Sequence, residues 1–188
     1  MDGNDSNILS LPFDLRPKMK YLLQISIYLF FLYGLHGQSS IDKTLRKFNK
    51  NSVPYITAES LAENIQFMLL DTREQGEFEV SHLANAIWVG NRKFDTDQIT
   101  SMIPSNNSPI VVYCSVGVRS ETVGERLLKE GYTEVYNLYG GIFEWKNKGF
   151  PVYDTLGKKT DKVHAYNKHW GKMLINATKV YGHRKQNN

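Results

Sequence analysis

The sequence predicts an α/β domain built on a parallel sheet with helices on both faces. Apolar runs alternate along the chain with segments of helical pattern, which is the order that produces parallel strands joined by crossover helices. Residues 110–113 (Ile-Val-Val-Tyr) are apolar without a break, which is typical of a central strand buried on both faces. Because ligands bind beyond the carboxyl ends of the strands in such sheets, the residues that follow each strand are the candidates for a functional site.

Turn and capping signals separate the predicted elements. Apolar runs predict strands at residues 54–56, 67–70, 86–89, 110–113 and 135–138. Helices are predicted at residues 58–66, 95–103, 121–130 and 142–148. Thr57 can cap the first helix through its side chain, Pro104 ends the second, and Gly131 closes the third.

Composition narrows the classes of protein. The chain has 188 residues and a single cysteine, which excludes an intrachain disulfide and a tetrahedral thiolate zinc site. Residues 154–188 contain eight Lys or Arg against two Asp, so this tail carries +6 and the preceding residues carry −2. The basic character therefore belongs to the tail, and we expect no nucleic-acid partner for the main body.

The N-terminal part of the chain has the pattern of an export signal. Residues 21–33 (YLLQISIYLFFLY) are almost entirely apolar, and Arg16, Lys18 and Lys20 precede them. A positive segment followed by a short apolar segment is typical of a secretory signal, and this run is too short to span a bilayer comfortably. An uncleaved membrane anchor is the alternative, and only then would the protein be tethered to a membrane.

The start and the end of this signal are less sharply marked. Met19 would give a typical signal opening, so either the true start is Met19 or residues 1–18 belong to an unusually long n-region. We place the cleavage point between Gly37 and Gln38 and expect an exported, periplasmic protein. The resulting organisation is a signal peptide at 1–37, a linker or short helix at 38–52, the main domain at 53–153 and a C-terminal extension at 154–188.

Residues 113–120 (Tyr-Cys-Ser-Val-Gly-Val-Arg-Ser) leave the predicted central strand and enter a predicted helix. Cys114 is thus expected at a strand end, where the following backbone amides can form an anion-binding nest. The helix N-terminus and Arg119 add positive potential, and Gly117 permits a backbone conformation that other residues resist. All of these features favour the nucleophilic thiolate over the alternative that the cysteine is a small buried hydrophobe.

The chain resembles the rhodanese-like domain family over residues 53–153. The second half of such a domain is matched by YCSVGVRSETVGERLLKEGYTEVYNLYGGIFEWKNKGFPVY, with its cysteine loop ending in Arg-Ser, its Gly-Gly and its Gly-x-Pro-Val. The first half is matched by LLDTREQGEFEVSHLANAIWV. Within it His82 and Ala86 fit the family's Gly-His-Ile-Pro-Gly-Ala segment, whereas Ser81 and residues 83–85 depart from it.

The resemblance implies a sulfurtransferase. Cys114 corresponds to the catalytic cysteine, which accepts a sulfane sulfur and becomes a persulfide. Arg119 would attract an anionic donor such as thiosulfate, and cyanide or a thiol would accept the sulfur without any metal or organic cofactor. The backbone amides that would cradle the outer sulfur belong to Ser115, Val116, Gly117, Val118, Arg119 and Ser120.

The resemblance also covers four residues for which we expect structural roles rather than catalytic ones. Asp71 and Arg73 match the family's strand-end pair, and we expect an ion pair that supports the site. His82 is interpreted as a histidine packed near a turn, and Trp145 as an anchor of the last helix in the core.

Three other functions are open. Phosphatases that share or mimic this fold have five residues between cysteine and arginine, whereas four residues separate Cys114 from Arg119, a smaller cradle that suits a sulfur atom better than a phosphate. A non-enzymatic rhodanese-like binding module is the second alternative, although such modules usually lack the cysteine. Persulfide or redox sensing is the third, and the absence of a second cysteine weakens it.

The basic extension mixes lysines with aromatic residues. Residues 162–177 predict a helix that packs Trp170 and Leu174 on the domain, with a solvated tail as the alternative. His164 and His169 are five residues apart, which does not suit one face of a helix, so no metal site is expected there. Docking to an acidic partner or to a membrane surface is a further possibility for this segment.

Overall fold

The computed structural model describes residues 40–64, 66–92 and 94–182, together with Tyr21 and Gln24. The predicted signal at 1–37 and its cleavage point lie outside these residues apart from Tyr21 and Gln24, so export stays a prediction. The elements described below all belong to one structural unit, Gly37–Asn188.

In the described part of the chain, no helix combines the length and the apolar character needed to cross a bilayer.

The central sheet has five parallel strands, which confirms the predicted fold class. Their order is β1-β5-β4-β2-β3, so β4 lies in the middle and pairs with β2 on one side and β5 on the other. All four residues of β4 are buried, as its unbroken apolar run predicts. The strands are β1 (Tyr55–Ile56), β2 (Met68–Asp71), β3 (Ile87–Trp88), β4 (Ile110–Tyr113) and β5 (Val135–Leu138).

Six helices accompany the sheet in the described residues. Thr57 caps α2, because its side chain accepts a hydrogen bond from the Ser60 amide at 3.2 Å. Four of the helices were expected from the sequence, although their ends differ by a few residues. The helices are α1 (40–48), α2 (Ala58–Ala62), α3 (Gln75–Val80), α4 (Thr96–Met102), α5 (Val118–Lys129) and α6 (Gly141–Asn147).

Helix α3 is an element that the sequence analysis missed. It has only six residues and contains Gly76, so its helical pattern is weak. The available signal was a capping box, in which Glu74 and Glu77 exchange side-chain and backbone hydrogen bonds at the start of the helix.

Two hydrophobic clusters cover the two faces of the sheet. Val111 and Tyr113 of β4 belong to the cluster that α1, α2 and α6 help to form. Ile110 and Val112, which point the other way, belong to the cluster formed with α4 and α5. Helices thus pack on both faces, as predicted.

Helix α1 lies in the segment for which the sequence left a linker or a short helix open. Its Ile41 and Leu45 are buried in the first cluster. Thr44 of the same helix contacts Met173 of the C-terminal extension through a hydroxyl-to-sulfur hydrogen bond of 3.6 Å. The helix is therefore part of the packed unit.

The prediction of a helix at residues 162–177 is wrong. Strand β8 (Lys162–His164) pairs in parallel with β9 (Thr178–Val180), and a short 3-10 helix, Trp170–Met173, lies between them. A left-handed backbone at Tyr166 (φ 61°) interrupts any α-helix. The Asn167 side chain also accepts hydrogen bonds from the amides of His169 and Trp170, which favours a turn.

The extension nevertheless packs on the domain rather than forming a solvated tail over its described residues. Val163, Ala165 and Leu174 are completely buried and belong to the first cluster. Ahead of them, β6 (Val152–Tyr153) and β7 (Lys159–Thr160) form a small antiparallel ribbon. The basic extension is thus continuous with the core.

Leu174→Ala tests this packing. We expect it to lower the free energy of unfolding by about 2–5 kcal/mol, the usual cost of deleting buried leucine atoms and leaving a cavity. Leu156→Ala is the matched control, because Leu156 lies in the same extension but is 78% exposed, and it should change stability by less than about 0.5 kcal/mol. Urea unfolding of both variants makes the comparison; equal, negligible effects would show that the extension does not contribute to the core.

Candidate active site

Cys114 lies directly beyond the carboxyl end of the central strand β4. Its side chain is almost fully buried, with 1% of its surface exposed. In the neighbouring strand, Asp71 at the end of β2 is in register with Tyr113. A cavity of about 140 Å³ opens over Cys114, which is where a parallel sheet of this type binds its ligands.

Gly117 gives the loop after Cys114 its tight curvature. Its φ of 101° lies in the left-handed region that favours glycine, and its amide donates a hydrogen bond to Cys114 Sγ at 3.1 Å. A Cβ atom at this position would lie 3.2 Å from the Leu138 carbonyl oxygen and 3.3 Å from Leu45. Another residue type would therefore disturb the amide that contacts the sulfur.

The carbonyl of Gly117 is fixed by two asparagine side chains. Asn49 and Asn137 donate to it at 2.9 and 2.8 Å. The Oδ1 atom of Asn137 accepts a hydrogen bond from the Ser120 hydroxyl at 2.8 Å. The buried amide of Asn137 thus connects Gly117 in the middle of the loop to Ser120 at its end.

Helix α6 fixes the first carbonyls of the loop. The amides of Ile142 and Phe143 donate to the carbonyl oxygens of Cys114 and Ser115 at 2.9 and 3.0 Å. Gly141 allows this approach, because a Cβ there would overlap the Cys114 carbonyl oxygen. In a trans peptide the N–H points opposite to the C=O of the same peptide group. The amides of Ser115 and Val116 therefore face away from α6, which leaves them available to an anion-binding nest.

The electrostatic surroundings of Cys114 favour the thiolate. Burial raises the pKa of the thiol, but the charge of Arg119 and hydrogen bonds from Ser120 and Gly117 lower it, and the net pKa lies below that of an ordinary cysteine. Arg119 and Ser120 lie in the first turn of α5, whose N-terminus adds positive potential. A cysteine in such surroundings is the reactive kind.

Arg119 is held in place by Glu77 of α3, a residue that the sequence analysis missed. Two parallel hydrogen bonds join them: Nη1 to Oε2 at 2.7 Å and Nη2 to Oε1 at 2.9 Å. The Arg119 Nη2 atom also donates to the Ser115 hydroxyl at 2.9 Å, and that hydroxyl donates to Glu77 at 3.1 Å. The guanidinium therefore has a fixed orientation beside the sulfur.

Glu77 is ionised despite its burial. Burial raises its pKa, but the hydrogen bonds and charge of Arg119 lower the pKa by more, so that the net value is about 2. The same pairing raises the pKa of Arg119 against the effect of its own burial. At neutral pH the site therefore holds a carboxylate paired with a guanidinium, next to a cysteine whose pKa is lowered.

Asp71 and Arg73 form a completely buried ion pair behind the site. Arg73 Nη2 lies 2.6 Å from Asp71 Oδ2, and it also donates to the Ser81 carbonyl oxygen at 2.6 Å. The Trp88 indole donates to the Arg73 carbonyl oxygen at 2.8 Å. The pair joins the end of β2 to the segment after α3, and the cavity over Cys114 is lined by other residues. This placement fits a structural role.

His82 and Trp145 also occupy structural positions. The His82 ring stacks on Phe78 at a centroid distance of 4.0 Å, and its backbone pairs with Tyr153. Trp145 is buried, and its indole donates to the Pro151 carbonyl oxygen at 2.8 Å. Both placements match the interpretations made from the sequence.

Two aromatic residues of the extension complete the cavity, and sequence reasoning missed them as well. Tyr166 and Trp170 line it together with Val116, Val118 and Arg119 of the loop. The Arg119 guanidinium lies 5.1 Å from the centre of the Tyr166 ring, a cation–π contact. The mixture of lysine and aromatic residues in the sequence gave no indication of which ring would reach Cys114.

Among the described residues, no group of three or more His, Cys, Asp and Glu side chains is arranged to hold a metal ion. His164 contacts the chain on both ring nitrogens: Nε2 lies 3.0 Å from the Gly182 carbonyl oxygen, and Nδ1 accepts from the Tyr166 amide at 3.2 Å.

Glu77→Gln tests the electrostatic anchor. At pH 7 we expect a loss of about 3 kcal/mol in the free energy of unfolding, because the variant leaves a largely buried guanidinium without its charged partner. The lowered pKa of Glu77 means that its contribution is complete above pH 4.5 and is lost as the pH falls towards about 2. The difference between variant and wild type should therefore shrink at pH 3.

Urea unfolding at pH 7 and pH 3 measures this, with Glu79→Gln on the same helix as the control. Glu79 is only partly buried and its side chain bonds to Gln75. An equal effect of the two substitutions at both pH values would contradict the anchoring role of Glu77.

Comparison with known proteins places these residues in a family. Residues 57–148 match the protein-family model described as the rhodanese-like domain. The thiosulfate sulfurtransferase GlpE of Coxiella burnetii is 32% identical over 94 residues, which cover 50% of this chain and 85% of that protein. A tRNA uridine(34) hydroxylase of Chlamydia abortus is 29% identical over 136 residues, but these cover 65% of this chain and only 41% of that protein.

A solved structure agrees at the level of the fold. The solution NMR structure of the rhodanese-like domain from an Anabaena sp. protein superposes with a TM-score of 0.50 at 22% identity, covering 55% of this chain and 80% of that one. The family match, the GlpE relative and the parallel sheet with its cysteine loop all agree: this chain belongs to the rhodanese-like domain family.

Proposed function

We propose that this protein is a sulfurtransferase that carries a sulfane sulfur on Cys114 as a persulfide. The observation that carries the proposal is the position of Cys114: a buried cysteine with a lowered pKa at the end of β4, hydrogen-bonded to the Gly117 amide and beside Arg119. A nucleophile of this kind attacks sulfur readily, and a nest of amides can hold the negative charge that the persulfide keeps.

The reaction has two steps. The Cys114 thiolate attacks the outer sulfur of a donor such as thiosulfate, a new S–S bond forms, and the bond to the sulfonate group breaks with its electron pair leaving on sulfite. An acceptor, cyanide or a thiolate, then attacks the outer sulfur of the persulfide and leaves as thiocyanate or a new persulfide. Cys114 returns as the thiolate, so charge balances in each step and ping-pong kinetics follow.

The loop geometry favours sulfur over phosphoryl transfer. Four residues separate Cys114 from Arg119, and the Arg119 donors are already engaged by Glu77 and Ser115. The cavity is small and carries two valines and two aromatic rings in its wall. A phosphoryl group carried on the cysteine needs several free donors for its three oxygens, whereas one added sulfur atom needs few.

The relatives support the same direction. GlpE is named for transfer from thiosulfate and is covered over most of its length, which supports thiosulfate as a first donor to test. The hydroxylase is covered over less than half of its length, so its reaction gives no argument for this chain.

The test is the intact mass of the purified protein before and after thiosulfate. We expect a gain of about 32 Da, one sulfur atom, that cyanide removes and that Cys114→Ser abolishes, as expected for a persulfide on an activated thiolate. Because Cys114 is the single cysteine, the site of the added mass is not in question. A gain that persists in Cys114→Ser, or transfer to cyanide at the wild-type rate by that variant, would contradict the proposal.

A further inference from the structure

The cavity over Cys114 has walls from two separate parts of the chain. One wall is the loop that follows β4, which belongs to the rhodanese-like domain. The other consists of Tyr166 and Trp170, which lie in the extension, well beyond residue 148, where the match to the family model ends. We call these two side chains the aromatic wall.

The extension that carries the aromatic wall is firmly attached. The Asn147 side chain at the end of α6 donates to the Met173 carbonyl oxygen and accepts from the Ile175 amide, both at 2.8 Å. Lys146 forms an ion pair with Asp161 at 2.7 Å. The Trp170 ring lies 6.2 Å from that of Phe48 in α1. These contacts, with the buried Leu174 and Met173 beside them, fix the backbone that carries the wall, although Tyr166 itself is 49% exposed.

Tyr166 reaches the site through an unusual backbone conformation. Its φ of 61° is left-handed, a conformation that is unfavourable for a non-glycine residue and persists only where the surroundings impose it. The Tyr166 amide donates to His164 Nδ1, and His164 is itself buried. The result is that the Tyr166 ring covers the Arg119 guanidinium at 5.1 Å.

These features have two consequences for a substrate. The cavity of about 140 Å³ is smaller than the roughly 300–1,000 Å³ of clefts that hold drug-sized ligands. Its polarity is also low, because Arg119 is neutralised by Glu77 and covered by Tyr166, while Val116, Val118 and Trp170 supply apolar surface. A compact ligand therefore fits, whereas a large one meets the two rings.

We infer that the aromatic wall selects the sulfur acceptor by size, admitting small thiols and excluding a bulky peptide thiol or a cysteine on the surface of another protein. This inference rests on the proposed sulfur transfer and specifies the acceptor of the same site. Tyr166 and Trp170 act as specificity residues, whereas the transfer chemistry belongs to Cys114 and its loop.

The first test does not depend on sulfur transfer. The single cysteine is alkylated with N-methylmaleimide and with the bulky N-pyrenylmaleimide, which share one reactive group, and each rate is divided by that of free glutathione. We expect the wild type to disfavour the bulky reagent at least tenfold. Trp170→Ala should raise the ratio of bulky to small rates at least fivefold, and the exposed Leu156→Ala, as matched control, should leave it unchanged.

Tyr166→Gly provides a second variant that keeps the fold. Glycine adopts the left-handed backbone at this position without strain, so the variant removes the ring and not the turn. It should also raise the ratio. A wild type that shows no size preference, or a preference that neither variant reduces, would overturn the inference.

The second test uses persulfidated protein and compares kcat/KM for 2-mercaptoethanol, glutathione and a reduced thioredoxin. We expect the small thiol to be preferred by the wild type, and Trp170→Ala to improve glutathione relative to 2-mercaptoethanol at least fivefold. Equal transfer from the wild type to the protein thiol would overturn the inference. Size-selective alkylation without any sulfur transfer would instead overturn the proposed function and leave the wall as the barrier to Cys114.

Discussion

The structure depends on one constraint, which is that the pKa of a cysteine thiol must stay low although the side chain is almost completely buried. Burial by itself raises the pKa of a thiol, because the charged form loses its contact with water. The opposing interactions at Cys114 come from the Arg119 charge and from hydrogen bonds of Gly117 and Ser120, and together they exceed the effect of burial. Much of the surrounding architecture serves to hold these three groups in position.

That support extends through several elements. Glu77 of α3 orients Arg119, the amides at the start of α6 hold the carbonyls of Cys114 and Ser115, and Asn137 of β5 holds the carbonyl of Gly117. Each of these contacts joins the loop to an element distant in sequence. The site is therefore a product of the whole sheet and its helices, and a loop of this sequence alone would not reproduce it.

The central part of the fold and of the site could be predicted from the sequence, because the signals there are local. The unbroken apolar run of β4, the cysteine that follows it and the glycine three residues later occur within eight residues. Glu77 could not be predicted in the same way, since its helix is short and its role depends on a contact with a residue 42 positions away. A pair this distant leaves no periodic pattern in the sequence.

The extension shows a different limit. Its apolar Trp170 and Leu174 suggested a helix, but the Asn167 turn and the left-handed Tyr166 favour two short strands and a 3-10 turn. Tertiary packing against α1 and α6 determines the outcome, and the local pattern is too weak to oppose it. The same packing brings Tyr166 and Trp170 to Cys114, which the sequence does not indicate.

The most direct test of the account is the ionisation of Cys114 itself. It is measured from the ultraviolet absorbance of the thiolate as a function of pH, with Cys114→Ser as the blank. The account predicts a midpoint below the value of about 8.5 that a free cysteine shows, with the thiolate lost as the pH falls through this lowered pKa. A midpoint at or above 8.5 would mean that burial outweighs Arg119 and the loop amides, and it would contradict the account.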